Sequence, residues 1–120
     1  MPFEIDWEST VAYKRFYGFV TAVDILNSMQ ALHNDFRYAN IAYTINDFLD
    51  VQGYEISEQD ILKFSECGMV ASHSNPKVSI AVVTTDEKIR ALVKRYSAPY
   101  PVEFFTNAAH ARAWALPVRD

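Results

Sequence analysis

Cysteine is almost missing from this chain. Cys67 is the only one, so no internal disulfide can form, and the usage suits a reducing, cytoplasmic setting. Glycine is scarce too, with three in 120 residues. That leaves no phosphate-binding glycine loop, no G-x-G-x-x-G dinucleotide fingerprint and no G-x-S-x-G nucleophile elbow. The histidines, His33, His73 and His110, stand far apart without an H-x-x-x-H pair or a cysteine at ligand spacing, so the pattern offers no metal site. No apolar run approaches the ~20 residues that cross a bilayer. The start, Met1-Pro2-Phe3-Glu4, lacks both the basic and the apolar part of a secretory signal. Positive charge is also in short supply. The formal net charge is −4, and the densest basic group, Lys88, Arg90, Lys94 and Arg95, spans one helix as its solvated face. Nucleic acid, which needs a basic surface, is therefore not an expected partner.

What the chain does have is apolar residues, at 50%, with 14% aromatic. That is enough for a core without metal or disulfide support, and the length suits one domain over residues 1–120. Phe3, Ile5 and Trp7 alternate with Glu4, Asp6 and Glu8, the period of a strand with one wet face. Val11 to Tyr17 continues as a second strand, so the two predict an antiparallel hairpin closed by Gly18. Thr21 with Asp24 forms a capping-box pattern for a helix over Ala22–His33. Ala39 to Ile45 predicts a third strand that ends at Asn46-Asp47, and Phe48 to Ile56 a loop. Ser57 with Asp60 starts a second helix, which runs to about Ser72. The last third holds two strand–helix units. Val78–Val83 precedes a helix with the apolar stripe Ile89, Leu92, Val93 and Tyr96. After the connection Ala98-Pro99-Tyr100-Pro101, the strand Val102–Phe105 precedes an alanine-rich helix, which Thr106 or Asn107 caps and Pro117 stops. The expected fold class is α/β: a single mixed sheet of about five strands, antiparallel at the N-terminal hairpin and parallel later, packed by about four helices.

In such a sheet the helices start at the carboxyl ends of the strands, where ligands and partners meet the protein. The candidate rim there is Asn46, Asp47, Ser57, Thr85, Asp86 and Thr106, joined by Thr21, Thr84 and Asn107. Helix N-termini favour anions, yet the same residue types are simply good caps. Among reactive groups, His33 sits at a helix C-terminus, where a cation would favour the dipole. Cys67 lies mid-helix as a small hydrophobe. Asp47, Asp50 and Glu55 cluster in one predicted loop and could form an acid/base pair, or only a solvated acidic turn. Trp7 and Trp114 read as core aromatics.

The hairpin leading to Gly18-Phe-Val-Thr21, the strand ending Ile45-Asn-Asp47, the segment Val78-Ser-Ile-Ala-Val-Val83 and, above all, Val102-Glu-Phe-Phe105 with Ala108-Ala-His-Ala-Arg-Ala-Trp114 resemble the SpoIIAA-like group of STAS-type domains. The likeness spans about Phe3 to Leu116. It implies a sheet packed by helices and a non-enzymatic role in protein interaction. Known members bind an anti-sigma kinase and are switched by phosphorylation of a Ser in an Asp-Ser-Ser-Gly-like motif at the start of the second main helix. Here that region reads Ile56-Ser57-Glu58-Gln59-Asp60, so Ser57 matches the place while the motif around it is absent, which implies a degenerate switch. The group is also similar to lipid-binding Sec14-type domains. That likeness implies an apolar pocket lined by Phe16, Phe36, Tyr43, Phe48, Phe64, Phe104 and Phe105; the alternative is an ordinary aromatic core.

Three functions follow as expectations. The first is a non-catalytic regulatory module with a protein partner, working at the rim. The second is a binding protein for an apolar or amphipathic ligand held under the second helix. The third is an enzyme with an acidic site at Asp47. No cofactor is implied. A homodimer could use the hairpin edge with Tyr38, Tyr54 and Tyr100, unless Glu4, Asp6 and Glu8 protect that edge.

Overall fold

The computed structural model describes residues 2–96 and 100–115. The predicted connection at Ala98-Pro99, the side chain of Tyr96 and the stop at Pro117 lie outside the described residues. The order is β1 Phe3–Glu8, β2 Val11–Thr21, α1 Ala22–His33, a 3-10 turn Phe36–Asn40, β3 Tyr43–Glu55, α2 Glu58–Ala71, β4 Ser79–Val83, α3 Glu87–Tyr96, β5 Val102–Phe105 and α4 Ala108–Trp114. The five strands form one sheet in the order β1-β2-β3-β4-β5. β1 and β2 run antiparallel, and every later pair is parallel, as the alternation of strands and helices requires.

The folded chain departs from the sequence expectations at four places. Ala39 is not in a strand. Asp35 caps the 3-10 turn by accepting from Arg37 N at 2.9 Å, and the Asn75 side chain grips the carbonyls of Tyr38 and Ile41 at 2.7 and 2.8 Å. Asn46-Asp47 does not end β3, and Phe48 to Ile56 is largely not a loop: the strand runs on to Glu55. Its polar residues stay in the sheet because β2 also continues, to Thr21, and pairs with it from Val11↔Tyr43 to Thr21↔Glu55. The shared ribbon absorbs two irregularities, and Gly18, at φ 70, supplies the left-handed backbone at one of them. Third, Tyr38 and Tyr100 are buried and offer no dimer surface. Fourth, Phe36 is 84% exposed, on the surface rather than in a pocket wall.

The caps are where the sequence put them. Thr21 with Asp24 and Ser57 with Asp60 make full capping boxes. Asn107, rather than Thr106, caps α4 by accepting from His110 N at 2.8 Å.

The sheet buries both faces against different partners. On one, Val11, Tyr13, Ile45, Ala81 and Val83 meet Ala111 and Ala115, with Trp114 edge-on to Tyr43. On the other, Ala12, Val78 and Ile80 pack with Leu32 of α1, Ala71 of α2, Tyr38 and Tyr100. Helix α2 leans chiefly on α1 and α3. It thus bridges its neighbouring helices above the sheet, and that stand-off makes room for the site.

Candidate functional site

The rim residues separate once folded. Asn46 and Asp47 are adjacent on β3 and so point to opposite faces. Asp47 is buried on the α4 face. Its Oδ2 accepts from Tyr13 Oη at 2.5 Å, and its Oδ1 accepts from Leu49 N at 2.9 Å. Burial, then the Asp47 hydrogen bond, pushes the Tyr13 phenol well above its ordinary range, so it stays a donor. Asp50 instead pairs with Arg15 at 2.8 Å, while Glu55 is exposed at the far end of β3. The three acids expected together are dispersed, and no acid/base pair forms among them.

Asp86 is the best connected of the predicted rim. Its Oδ1 accepts from Lys88 N and Ile89 N at 2.8 and 3.2 Å, capping α3, and Tyr54 Oη reaches its carboxylate at 3.3 Å. Glu58, next to Ser57, meets Arg95 of α3 at 3.2 Å. These contacts bring the far end of the β2–β3 ribbon over α3. Ser57 is exposed with its hydroxyl accepting from Asp60 N, and Thr85 and Thr106 are exposed.

Asn46 instead faces inward, to the floor of a trough beneath α2. Three cavities of about 110, 170 and 140 Å³ run through this space and share walls. The first is bounded by Val20, Val51, Ile56, Ile89 and other apolar side chains. It shares Phe48, Ile61, Phe64, Leu92 and Val93 with the second. The second shares Met29, Asn46, Phe48, Gly68, Ile80 and Tyr100 with the third. Of the seven aromatics expected to line a pocket, Phe16, Phe48 and Phe64 do so, with Phe16 and Phe48 stacked at 4.7 Å. Tyr43 and Phe105 pack on the opposite face with Trp114, and Phe104 lies under Arg90 and Lys94.

The third cavity has a polar end that the sequence reading missed. Lys14, on β2, is 4% exposed there. Its Nζ donates to Ser28 Oγ at 3.2 Å and sits 5.6 Å from the centre of the Phe16 ring. Burial lowers its pKa to about 8. Close by, Cys67 Sγ is 3.6 Å from His33 Nδ1. Burial, and then the charge of Lys14, pushes His33 down to about 4, so it is neutral at pH 7 and does not act as the cation expected at the end of α1. Burial likewise raises the Cys67 pKa and keeps it a thiol. The one available clue was the place of Lys14 in Val11-Ala12-Tyr13-Lys14-Arg15-Phe16, on the face shared with the apolar Ala12 and Phe16 and opposite that of Arg15.

The polar end is closed by a knot of side chains. Tyr38 Oη and Tyr100 Oη lie 2.9 Å apart, and Tyr100 donates on to Asn75 O at 2.8 Å. Among the described residues, no group of three His, Cys, Asp or Glu side chains is placed to hold a metal ion. Nor is any helix there long and apolar enough to cross a membrane.

No family model matches the chain, and no curated protein matches it in sequence. Solved structures match it in fold. The anti-sigma factor antagonist SpoIIAA in its unphosphorylated form superposes with a TM-score of 0.61 at 9% identity, over 93% of this chain and 94% of its own. The Bacillus cell fate determinant SpoIIAA in the phosphorylated form gives 0.62 at 10% identity, over 93% and 98%. An uncharacterised protein from Shewanella loihica with a SpoIIAA-like fold gives 0.56 at 14% identity, over 95% and 92%. The likeness is one of fold, and the fold of this chain is SpoIIAA-like, with the five-stranded mixed sheet and four helices expected from the sequence.

Proposed function

We propose that this chain is a non-catalytic, cytoplasmic regulatory module, acting as one domain, that binds a partner protein through the outer face of α2. The observation that carries this reading is the exposure of Leu62, Met69 and Val70, at 52%, 59% and 72%, on that one helix. Leu62 and Met69 are seven residues apart and so share a face, and exposed apolar clusters mark contact surfaces. The SpoIIAA-like fold supports the reading, since the matched SpoIIAA is itself an anti-sigma factor antagonist. Ser57, exposed at the cap of the same helix, is the position for any phosphorylation. A phosphate there would gain from the helix dipole but sit beside Glu58 and Asp60, so the switch is weak or lost.

The test is affinity capture from the source cell, followed by direct binding of the captured protein in purified form. Leu62→Asp with Met69→Asp should abolish that binding while the circular dichroism spectrum stays unchanged. Undiminished binding by the double variant would exclude α2 as the contact. Ser57→Asp that leaves binding unchanged removes the switch.

A second reading rests on the trough: a binding protein for a linear apolar or amphipathic molecule. Three wall-sharing cavities between the sheet and helices α1, α2 and α3, two of them lined mostly by apolar side chains and the third ending at Lys14, favour it.

A further inference from the structure

We propose that the trough under α2 takes a single-chain carboxylate of the fatty-acid class, with its head at Lys14 and its alkyl tail running towards Val51 and Val93; this rests on the second reading above.

The head group follows from the surroundings of Lys14. An ammonium offers three N–H donors. Ser28 Oγ takes one, at 3.2 Å, and Ser28 passes its own proton to Ile25 O at 2.7 Å. Among the described residues Lys14 has no carboxylate partner within ion-pair distance. A buried cation with unused donors at the wall of a cavity is complementary to an anion. The charge of the anion follows as well. His33, beside Lys14, is held neutral, and among the described residues no second cation lines this cavity, so one negative charge is matched and a phosphate dianion is not. A carboxylate has two oxygens to accept the remaining donors, and Asn46 and Thr44 border the same space.

The tail follows from the walls. Beyond Asn46 the trough is apolar, and each of its three cavities is too small alone for a bulky ring system, whereas a flexible chain can pass through spaces that share walls. The trough is interior to α2, so a ligand there would leave Leu62, Met69 and Val70 free.

Isothermal titration calorimetry with decanoate, decan-1-ol and acetate tests this on purified, full-length protein and on Lys14→Met. The wild type is expected to bind decanoate about tenfold or more tightly than decan-1-ol, and to ignore acetate. Lys14→Met should lose that preference and keep its affinity for decan-1-ol. Equal affinities of the wild type for decanoate and decan-1-ol would overturn the role of Lys14 while leaving the apolar trough intact. Failure of the wild type to bind either ten-carbon chain would remove the trough reading and the head-group assignment together. The wild-type comparison holds whether or not the variant folds.

Discussion

Burying an ammonium beside a single hydroxyl is costly, and Lys14 imposes that cost on the folded state. Its folded pKa of about 8 lies below the ordinary 10.5, so between these values the unfolded chain binds more protons and stability rises with pH. Below pH 8 the penalty is present in full. Lys14→Met, of similar volume and without charge, is therefore expected to stabilise the protein at pH 7 by about 2–3 kcal/mol in urea unfolding. The advantage should shrink as pH climbs from 8 towards 10.5. An unchanged or lower midpoint at pH 7 would mean that Lys14 has better partners than Ser28 and the Phe16 ring. His33 gives the matching prediction on the acid side. It faces Lys14 from β2, Cys67 from α2 and Tyr38 from the 3-10 turn, and its folded pKa of about 4 is below the ordinary 6.5. In that window the unfolded state again holds the extra proton. Its contribution is thus complete above pH 6.5 and lost as pH falls towards 4. Denaturation midpoints measured from pH 7 to pH 4 should fall, and His33→Gln should flatten part of the fall. Parallel curves for the two proteins would contradict the burial of a neutral ring.

Helices and strands divide the work between sequence and packing differently. Helices α1, α2 and α4 were legible because each begins with a cap that acts locally: Thr21 with Asp24, Ser57 with Asp60, Asn107 with His110 N. β3 was only half legible. Asn46, Asp47 and Asp50 are turn-like residues by type, yet Tyr13 and Arg15 on β2 satisfy Asp47 and Asp50, and the ladder carries the strand to Glu55. That partnership spans more than thirty positions, so no local pattern announces it. The segment between α1 and β3 has the same cause. Asn75, far along the chain, holds Tyr38 and Ile41 in place through their carbonyls. Asn75→Ala would leave both carbonyls buried without that donor, and a loss of about 2–3 kcal/mol is expected in chemical unfolding. A loss under ~0.5 kcal/mol would show that other donors replace it.

Across the whole molecule, stability should be uneven. The β2–β3 ribbon is the longest pairing in the sheet, whereas α2 rests chiefly on α1 and α3 above the trough. Amide hydrogen exchange should be slowest in the Ala12–Phe16 and Thr44–Phe48 segments and faster along α2. Protection in α2 equal to that of the central strands would mean that the trough is more tightly closed than its cavities indicate. A bound ten-carbon carboxylate should slow exchange in α2 selectively, since it would fill the space beneath that helix.

Composition, period and capping alone determined the fold class. Alternation in Phe3–Glu8, the apolar run at Val78–Val83 and the stripe at Ile89, Leu92 and Val93 are properties of neighbours in sequence, and they suffice to order strands and helices. The site was decided only by tertiary structure. Which polar residues are caps, which are buried and which face one another depends on sheet pairing and on the distance between α2 and the strands. That is why a rim read at Asn46 and Asp47 became a trough floor and a buried Tyr13 partner, and why Lys14, unremarked in sequence, became a cation at the trough's end.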